Sequence, residues 1–297
     1  MVAGYSDILH PSETNLIGYA QRIPSMGGLE IGFALQQFSA DAPSGTSIVE
    51  VGTWLGAGTA QIALGVRQRE VVSEIEIHCF DRWKASDAEV TKARPCGVNL
   101  TVGMDLLPIV RNTLKRFDVV TRFHQGDVIC ARWDAGPISV YIDDAAKKWR
   151  DFYHMLRTFG PHWIPGETVV VLMDYEFWKT RESLDYRCQL EFIESNRSCF
   201  EPIDCVSKPS KHGGIMPVQP AAFRYTDKIN FEQWIATSSM RRLVSAQSDI
   251  KKLNSDVRLK NEKLASLYNS TSWQITSPLR RCSDIARAML GFSTSSE

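Results

Sequence analysis

Apolar and polar positions alternate in blocks from about residue 26 to residue 226. SIVEVGT at 47–53 is a continuous apolar run that breaks into glycines, and TAQIALGVRQ after it reads as helix. EIEIHCFD at 74–81 alternates and ends on an acid. Leu107, Val110, Leu114 and Phe117 recur at spacings of 3, 4 and 3, the stripe of an amphipathic helix. VVTRFHQGD at 119–127 and ISVYIDD at 138–144 read as strands that also end on acids. Trp149, Phe152, Leu156 and Phe159 repeat the helical spacing, and ETVVVLMDY at 167–175 is the most apolar run, suited to a strand buried on both faces. A helix near 180–197 and edge strands near 201–206 and 221–226 complete the series. Strand and helix in alternation predict an α/β fold: a doubly wound, Rossmann-like, seven-stranded and mostly parallel sheet with helices on both faces. Ligands of such sheets gather at the carboxyl ends of the strands, where Gly52, Asp81, Asp127, Asp143 and Asp174 are expected.

The pattern changes beyond the body. Leu243, Ile250, Val257 and Leu264 recur every seven residues, with Ala246, Leu253, Lys260 and Leu267 three positions further on. This a/d seam predicts a C-terminal helical extension, either folded back as one amphipathic helix or self-associating as a coiled coil, with Lys260 its one poor position. The expected organisation is an N-terminal segment at 1–25, a globular domain at 26–236, a coiled coil at 237–268 and a basic tail at 269–297.

Charge sharpens that division. The whole chain is formally neutral, yet ten Lys/Arg face five Asp/Glu from Met240 onward, so the body is acidic and the tail basic. An acidic body argues against nucleic acid as partner, while the tail suits an acidic surface, including peripheral contact with a membrane through Ile285, Met289 and Phe292. Seven cysteines without C-x-x-C spacing read as core thiols in a reducing cytoplasm, not as a disulfide framework or zinc site. No secretion signal and no membrane-spanning run are recognisable, so the expectation is a cytoplasmic protein, soluble or peripheral at the inner face of the membrane.

The glycine turn carries the candidate chemistry. Gly52, Gly56 and Gly58 are spaced too widely at the first step for a dinucleotide turn, which disfavours an NAD-dependent enzyme. Glu50 would repel a diphosphate but help to bind an ammonium group. Asp81, at the end of the second strand, is placed to accept hydrogen bonds from ribose hydroxyls, and Asp127 to meet an adenine amino group. From Glu50 to Thr59, EVGTWLGAGT is similar to the first motif of the class I S-adenosylmethionine (SAM)-dependent methyltransferases, E-x-G-x-x-x-G-x-[GS]-[ST]. CFDRW and HQGD resemble their ribose and adenine motifs in the right order. The resemblance covers about residues 26–226 and implies a SAM site built from Glu50, Gly52, Gly56, Gly58, Thr59, Asp81 and Asp127. A structural Rossmann-like domain with an incidental glycine turn is the bland alternative.

VYIDDAAKKW and VVLMDY look like a metal-dependent O-methyltransferase subgroup that includes enzymes acting on sugars and macrolides. That likeness implies a divalent cation, Mg²⁺, on Asp143 and Asp174, with Asp144 or water completing an oxygen shell. The chain departs from the subgroup at Ala146, where a histidine is usual, and at Met173, where a second acid is usual. Asp143 capping the next helix and Asp174 as a solvated strand end are the competing readings. For catalysis the expectations are His212, in the loop after the sixth strand, as a proton acceptor, and Asp143. Lys147 and Lys148 are candidates to steer an anionic acceptor, and Tyr175, Phe177 and Trp178 to wall a sugar or aromatic ring.

Ser270, Ser272, Trp273, Thr276, Pro278, Leu279 and Arg280 are similar to a signature, S-x-S-W-x-x-T-x-P-L-R, that follows coiled coils in bacterial surface-polysaccharide enzymes. The combined expectation is an O-methyltransferase acting on a sugar hydroxyl of a surface glycan or glycosylated metabolite. Its coiled coil would form a homo-oligomer or dock glycan-assembly enzymes. The alternative is a non-catalytic scaffold of the same fold that recruits those enzymes.

Overall fold

The computed structural model describes residues 16–25, 29–181, 183–204 and 220–268. The chain divides into two compact units, Met1–Glu232 and Gln233–Glu297. Seven strands form one sheet: β1 (Ser47–Val51), β2 (Glu76–Asp81), β3 (Thr121–Gln125), β4 (Ile138–Asp143), β5 (Val169–Leu172), β6 (Phe200–Ile203) and β7 (Ala221–Tyr225). Their spatial order is β3-β2-β1-β4-β5-β7-β6, with β1 to β5 parallel and β7 antiparallel to both neighbours. Helices α1 (Leu16–Arg22), α2 (Leu29–Ala40), α3 (Ala57–Arg67), α4 (Asp87–Ala93), α5 (Leu107–Leu114), α6 (Trp149–Phe159) and α7 (Cys188–Ser195) flank it. This is the doubly wound, Rossmann-like, seven-stranded and mostly parallel sheet that the alternation predicts.

The central strands are where the apolar runs are longest. Every residue of β1, β4 and β5 is buried, including Glu50 within β1. A strand buried on both faces must be covered by helices, and α3 lies tightly against α2: a Cβ at Gly65 would run into the Gln36 carbonyl. On the other side, rings of Phe152, Trp163, Phe192 and Phe200 meet edge to face.

One expected element differs, and one helix was not expected. The helix near 180–197 is restricted to α7, preceded by 3₁₀ turns at Phe177–Thr180 and Leu184–Arg187. Helix α4, absent from the predicted series, starts on a capping box, Ser86 with Glu89, whose signature stands in SDAE.

Register decides what the fold brings together. Val51 pairs with Phe80 on one side and Asp143 on the other; Asp81 pairs with Gln125, and Asp143 with Leu172. The first residues beyond β1, β2, β3, β4 and β5 therefore lie side by side along the carboxyl edge. The order reverses between β1 and β4, and the crevice of such sheets opens at that point.

The second unit contains most of α8 (Phe231–Tyr268), one uninterrupted helix through the expected boundary at 236. Leu243, Ile250, Leu253, Val257, Leu264 and Leu267 of the heptad seam are exposed along it. Among the described residues no helix is long and apolar enough to cross a membrane.

Candidate functional site

The turn after β1 is shaped by three glycines with different tasks. Gly52 has φ +95°, and a Cβ there would lie 2.8 Å from the backbone carbonyl of Asp144. The Asp144 amide in turn donates to the Val51 carbonyl at 2.8 Å, so this turn and the loop after β4 are locked together. Gly56 has φ +87° and forms the N-terminal boundary of α3. A Cβ on Gly58 would fall far inside contact with Glu50 Oε1, so this glycine makes room for the carboxylate inside the strand. The Thr59 hydroxyl donates to the other oxygen, Oε2. Glu50 is 5% exposed, and burial pushes its carboxyl from 4.5 up to about 7, against the opposing effect of hydroxyl hydrogen bonds.

Asp81 accepts two backbone N–H bonds, from Trp54 to Oδ2 at 2.8 Å and from Trp83 to Oδ1 at 2.7 Å. Both tryptophans have left-handed backbones, with φ of 47° and 43°, and the Trp83 indole donates to the Trp54 carbonyl at 3.1 Å. Such φ values in bulky residues are strained, and here they turn two amides onto one carboxylate. Trp54 and Trp83 escaped the sequence reading; the available signal was two large residues beside the glycine turn and the strand-end acid. Burial raises the Asp81 pKa, opposed by its two amide bonds. Each oxygen keeps a lone pair for a further donor.

Asp127 is exposed and caps the 3₁₀ turn Val128–Cys130, accepting the Ile129 amide at 3.2 Å. It lines a cavity of about 410 Å³ with Arg82, Ser86, Gly103 and Gly126. The loops after β2 and β3 thus share one recess.

The acids after β4 and β5 do not have the arrangement expected of a metal centre. Asp143 is 0% exposed, and its Oδ1 accepts the amides of Ala145 at 3.1 Å and Ala146 at 2.8 Å. Burial raises its pKa from 3.8 to about 6. It holds the β4–α6 loop but does not cap the helix, since α6 starts at Trp149 with Lys148 as its N-cap and no side-chain cap. Asp174 is buried, not a solvated strand end, and the Lys147 ammonium sits directly on its Oδ2. Asp144 is half-buried, its pKa raised by desolvation and then by the Asp174 charge. Lys147 is raised by these carboxylates despite the opposing effect of burial. Among the described residues no three His, Cys, Asp or Glu side chains form a group that could hold a metal ion. The residues do not fit a divalent cation, because a lysine already neutralises the acid that would bind it.

Of the expected acceptor wall, Phe177 faces Lys147, with its ammonium 5.1 Å from the ring centre. Tyr175 packs instead on Phe223, and Trp178 under Arg187. His212 and the tail signature at 270–280 lie outside the described residues.

No family model matches the chain, and no curated protein matches it. Similar solved structures include an rRNA methylase from Streptococcus thermophilus, 11% identical over 68% of this chain and 100% of the other, with a TM-score of 0.42. CalS11, a TDP-rhamnose 3'-O-methyltransferase of calicheamicin biosynthesis, is 15% identical over 75% of this chain and 92% of its own, TM-score 0.43. Cofactor-bound Rv0187 from MTB is 14% identical over 72% of this chain and 88% of its own, TM-score 0.45.

Proposed function

We propose that the chain is a SAM-dependent O-methyltransferase acting on a sugar hydroxyl of a surface glycan or glycosylated metabolite. The observation that carries the proposal is the register that sets the Gly52 turn, Asp81 and the β4 acids side by side at the switch point of the sheet. The residues fit the cofactor. Glu50 offers a buried acid suited to a cation, Asp81 two oxygens with capacity for a ribose diol, and Asp127 a recess at the expected adenine side. Gly52, Gly56, Gly58 and Thr59 shape the turn that would lie beneath it. SAM, when bound, supplies a methyl group activated by a sulfonium.

The chain's part is alignment and charge. Glu50 would hold the amino group of the cofactor, and Asp81 would fix its ribose. Asp143 is a positioning residue that sets the loop bearing Asp144 and Lys147. Asp144, on the loop locked to the Gly52 turn, offers a carboxylate for a proton taken from an acceptor hydroxyl, as His212 from the loop beyond β6 would offer an imidazole. Lys147 supplies the fixed positive charge at the place where the resemblance implies Mg²⁺, so no step here uses a metal. The exposed seam of α8 supports a homo-oligomer, and the tail signature supports glycan-assembly partners at the inner membrane face.

Calorimetry with SAM and S-adenosylhomocysteine tests the cofactor assignment; absence of heat from both, on folded protein, overturns it. Methyl transfer to glycan acceptors should continue undiminished in a chelator. A protein that binds S-adenosylhomocysteine yet never turns over with any acceptor would favour the scaffold.

A further inference from the structure

Beside the β4 acids lies a cavity of about 680 Å³ whose walls come from the start of α6 and from the segment between β5 and α7. Its lining includes Lys147, Lys148, Arg150 and Arg181 against only Asp151 and Asp185, with the rings of Phe177 and Tyr186 between them. Two of these cations are already neutralised, Lys147 by Asp174 and Arg150 by Asp151 at 3.0 Å. Lys148 and Arg181 have no ion-pair partner among the described residues. Each is instead held against an aromatic face: Lys148 is 5.9 Å from the Tyr186 ring centre and Arg181 5.1 Å from that of Phe177. The first turn of α6, an eleven-residue helix, also lines the cavity, which puts the positive end of its dipole there. A volume of this size suits a small organic ligand.

We infer that this cavity binds the phosphate or diphosphate of the acceptor, with Lys148 and Arg181 as its charged contacts and Phe177 and Tyr186 as flat walls for the attached group. Lys148 and Arg181, without an ion-pair partner among the described residues and opposed in the lining by Asp185, leave a positive excess beside a helix N-terminus that favours an anion, and a guanidinium matches phosphate oxygens in pairs. A carboxylate brings one negative charge to the two cations, whereas a phosphate monoester or diphosphate carries roughly two and offers more acceptor oxygens. The cavity begins at Ala145, one residue beyond the backbone that packs on Gly52, so an anchored phosphate leaves its sugar beside the glycine turn. The inference rests on the methyltransferase reading for the word acceptor, while the anion site stands on its own residues. Diphosphate-borne sugars reach enzymes either on a nucleoside or on a polyprenyl lipid, and both carry the same anion.

The test is calorimetry on the full chain with inorganic pyrophosphate, glucose 1-phosphate, UDP-glucose, farnesyl diphosphate and free glucose, and separately with S-adenosylhomocysteine. Pyrophosphate should bind, and free glucose alone should not. Lys148→Gln and Arg181→Gln should each weaken pyrophosphate about tenfold, the loss of one charge-assisted contact, and leave S-adenosylhomocysteine affinity unchanged. Tighter binding of UDP-glucose than of pyrophosphate supports a nucleoside carrier, and tighter binding of farnesyl diphosphate a lipid carrier. If no phosphate ligand binds, or the double variant binds pyrophosphate like the wild type, the inference is overturned. Pyrophosphate binding without S-adenosylhomocysteine binding would keep the anion site and remove the methyltransferase reading; the reverse would remove only the anion site.

Discussion

Replacing Glu50 by glutamine separates the stability of the fold from the chemistry proposed for it. The carboxyl is buried, and its pKa stands at about 7 against an ordinary 4.5. Below pH 4.5 folded and unfolded chains both hold the proton, and the residue imposes no penalty. Between 4.5 and 7 the unfolded chain releases the proton while the folded one retains it, so stability falls as pH rises. Above 7 the penalty is constant, and the shift is worth roughly 3 kcal/mol. Glutamine is nearly isosteric, keeps an oxygen for the Thr59 hydroxyl and never ionises. Glu50→Gln should therefore be more stable than the wild type at pH 8 by up to ~3 kcal/mol, with the difference closing as pH falls to 4.5. Urea denaturation at three pH values reads this directly. A variant less stable at pH 8, or a difference that does not change with pH, would refute the reasoning. Binding should move the opposite way. A cationic ligand favours the ionised carboxylate, so wild-type affinity for SAM should rise through pH 7 with release of a proton. The glutamine variant should bind more weakly and without that dependence.

Gly52→Ala places a Cβ 2.8 Å from the Asp144 carbonyl at a φ of +95°, and should lose about 3 kcal/mol or more in chemical denaturation. Asp81→Asn presents an amide donor to either the Trp54 or the Trp83 N–H, which should cost about 1–3 kcal/mol and release the indole fluorescence of both residues from its folded value. Lys147→Met leaves Asp174 without its cation among acids whose pKa values are already raised; its stability deficit should grow as pH rises from 5 to 8 and shrink when those acids are protonated, as followed by thermal melting. Ile250→Glu, in the exposed seam of α8, should reduce the sedimentation mass of the full chain to that of a monomer without lowering the melting temperature of the globular unit.

The strands were legible because their signal is local. β1, β2, β4 and β5 are apolar runs closed by an acid or a glycine, and parallel order followed from the helices between them. Glu50, Gly52 and Asp81 could be read for the same reason, since position at a strand end already places a side chain on the carboxyl edge. What the sequence could not supply depended on pairs distant in the chain. Gly58 is visible in the sequence as part of the turn's motif, but that its neighbour is the Glu50 carboxylate across the turn is not. Trp54 and Trp83 are buried, as large apolar residues commonly are, yet their amides rather than their rings serve the site. The helix near 180–197 failed as a single element because SLDYR favours short turns, with Ser183 accepting from the Asp185 amide.

The acids after β4 show how the same residues can acquire another purpose. Asp143 and Asp174 occupy neighbouring strands, so the pattern D…D at two strand ends suggests a shared cation, and a shared cation is what the fold provides. Its source is the chain itself: Lys147, four residues after Asp143, reaches Asp174 because β4 and β5 pair in parallel at Asp143 and Leu172. An ammonium attached to the loop needs no recruitment from solvent and keeps its charge across physiological pH, because the carboxylates raise its pKa. It cannot chelate two acceptor oxygens as a divalent ion would, since it is a point charge with three donors. Orientation of an acceptor must then come from elsewhere, and the nearest built feature is the cavity that holds Lys148 and Arg181 against Tyr186 and Phe177. On the proposed reading, a lysine in place of a metal and a phosphate grip a few residues away would be two parts of one arrangement: charge at the reacting oxygen, and alignment from the far end of the acceptor.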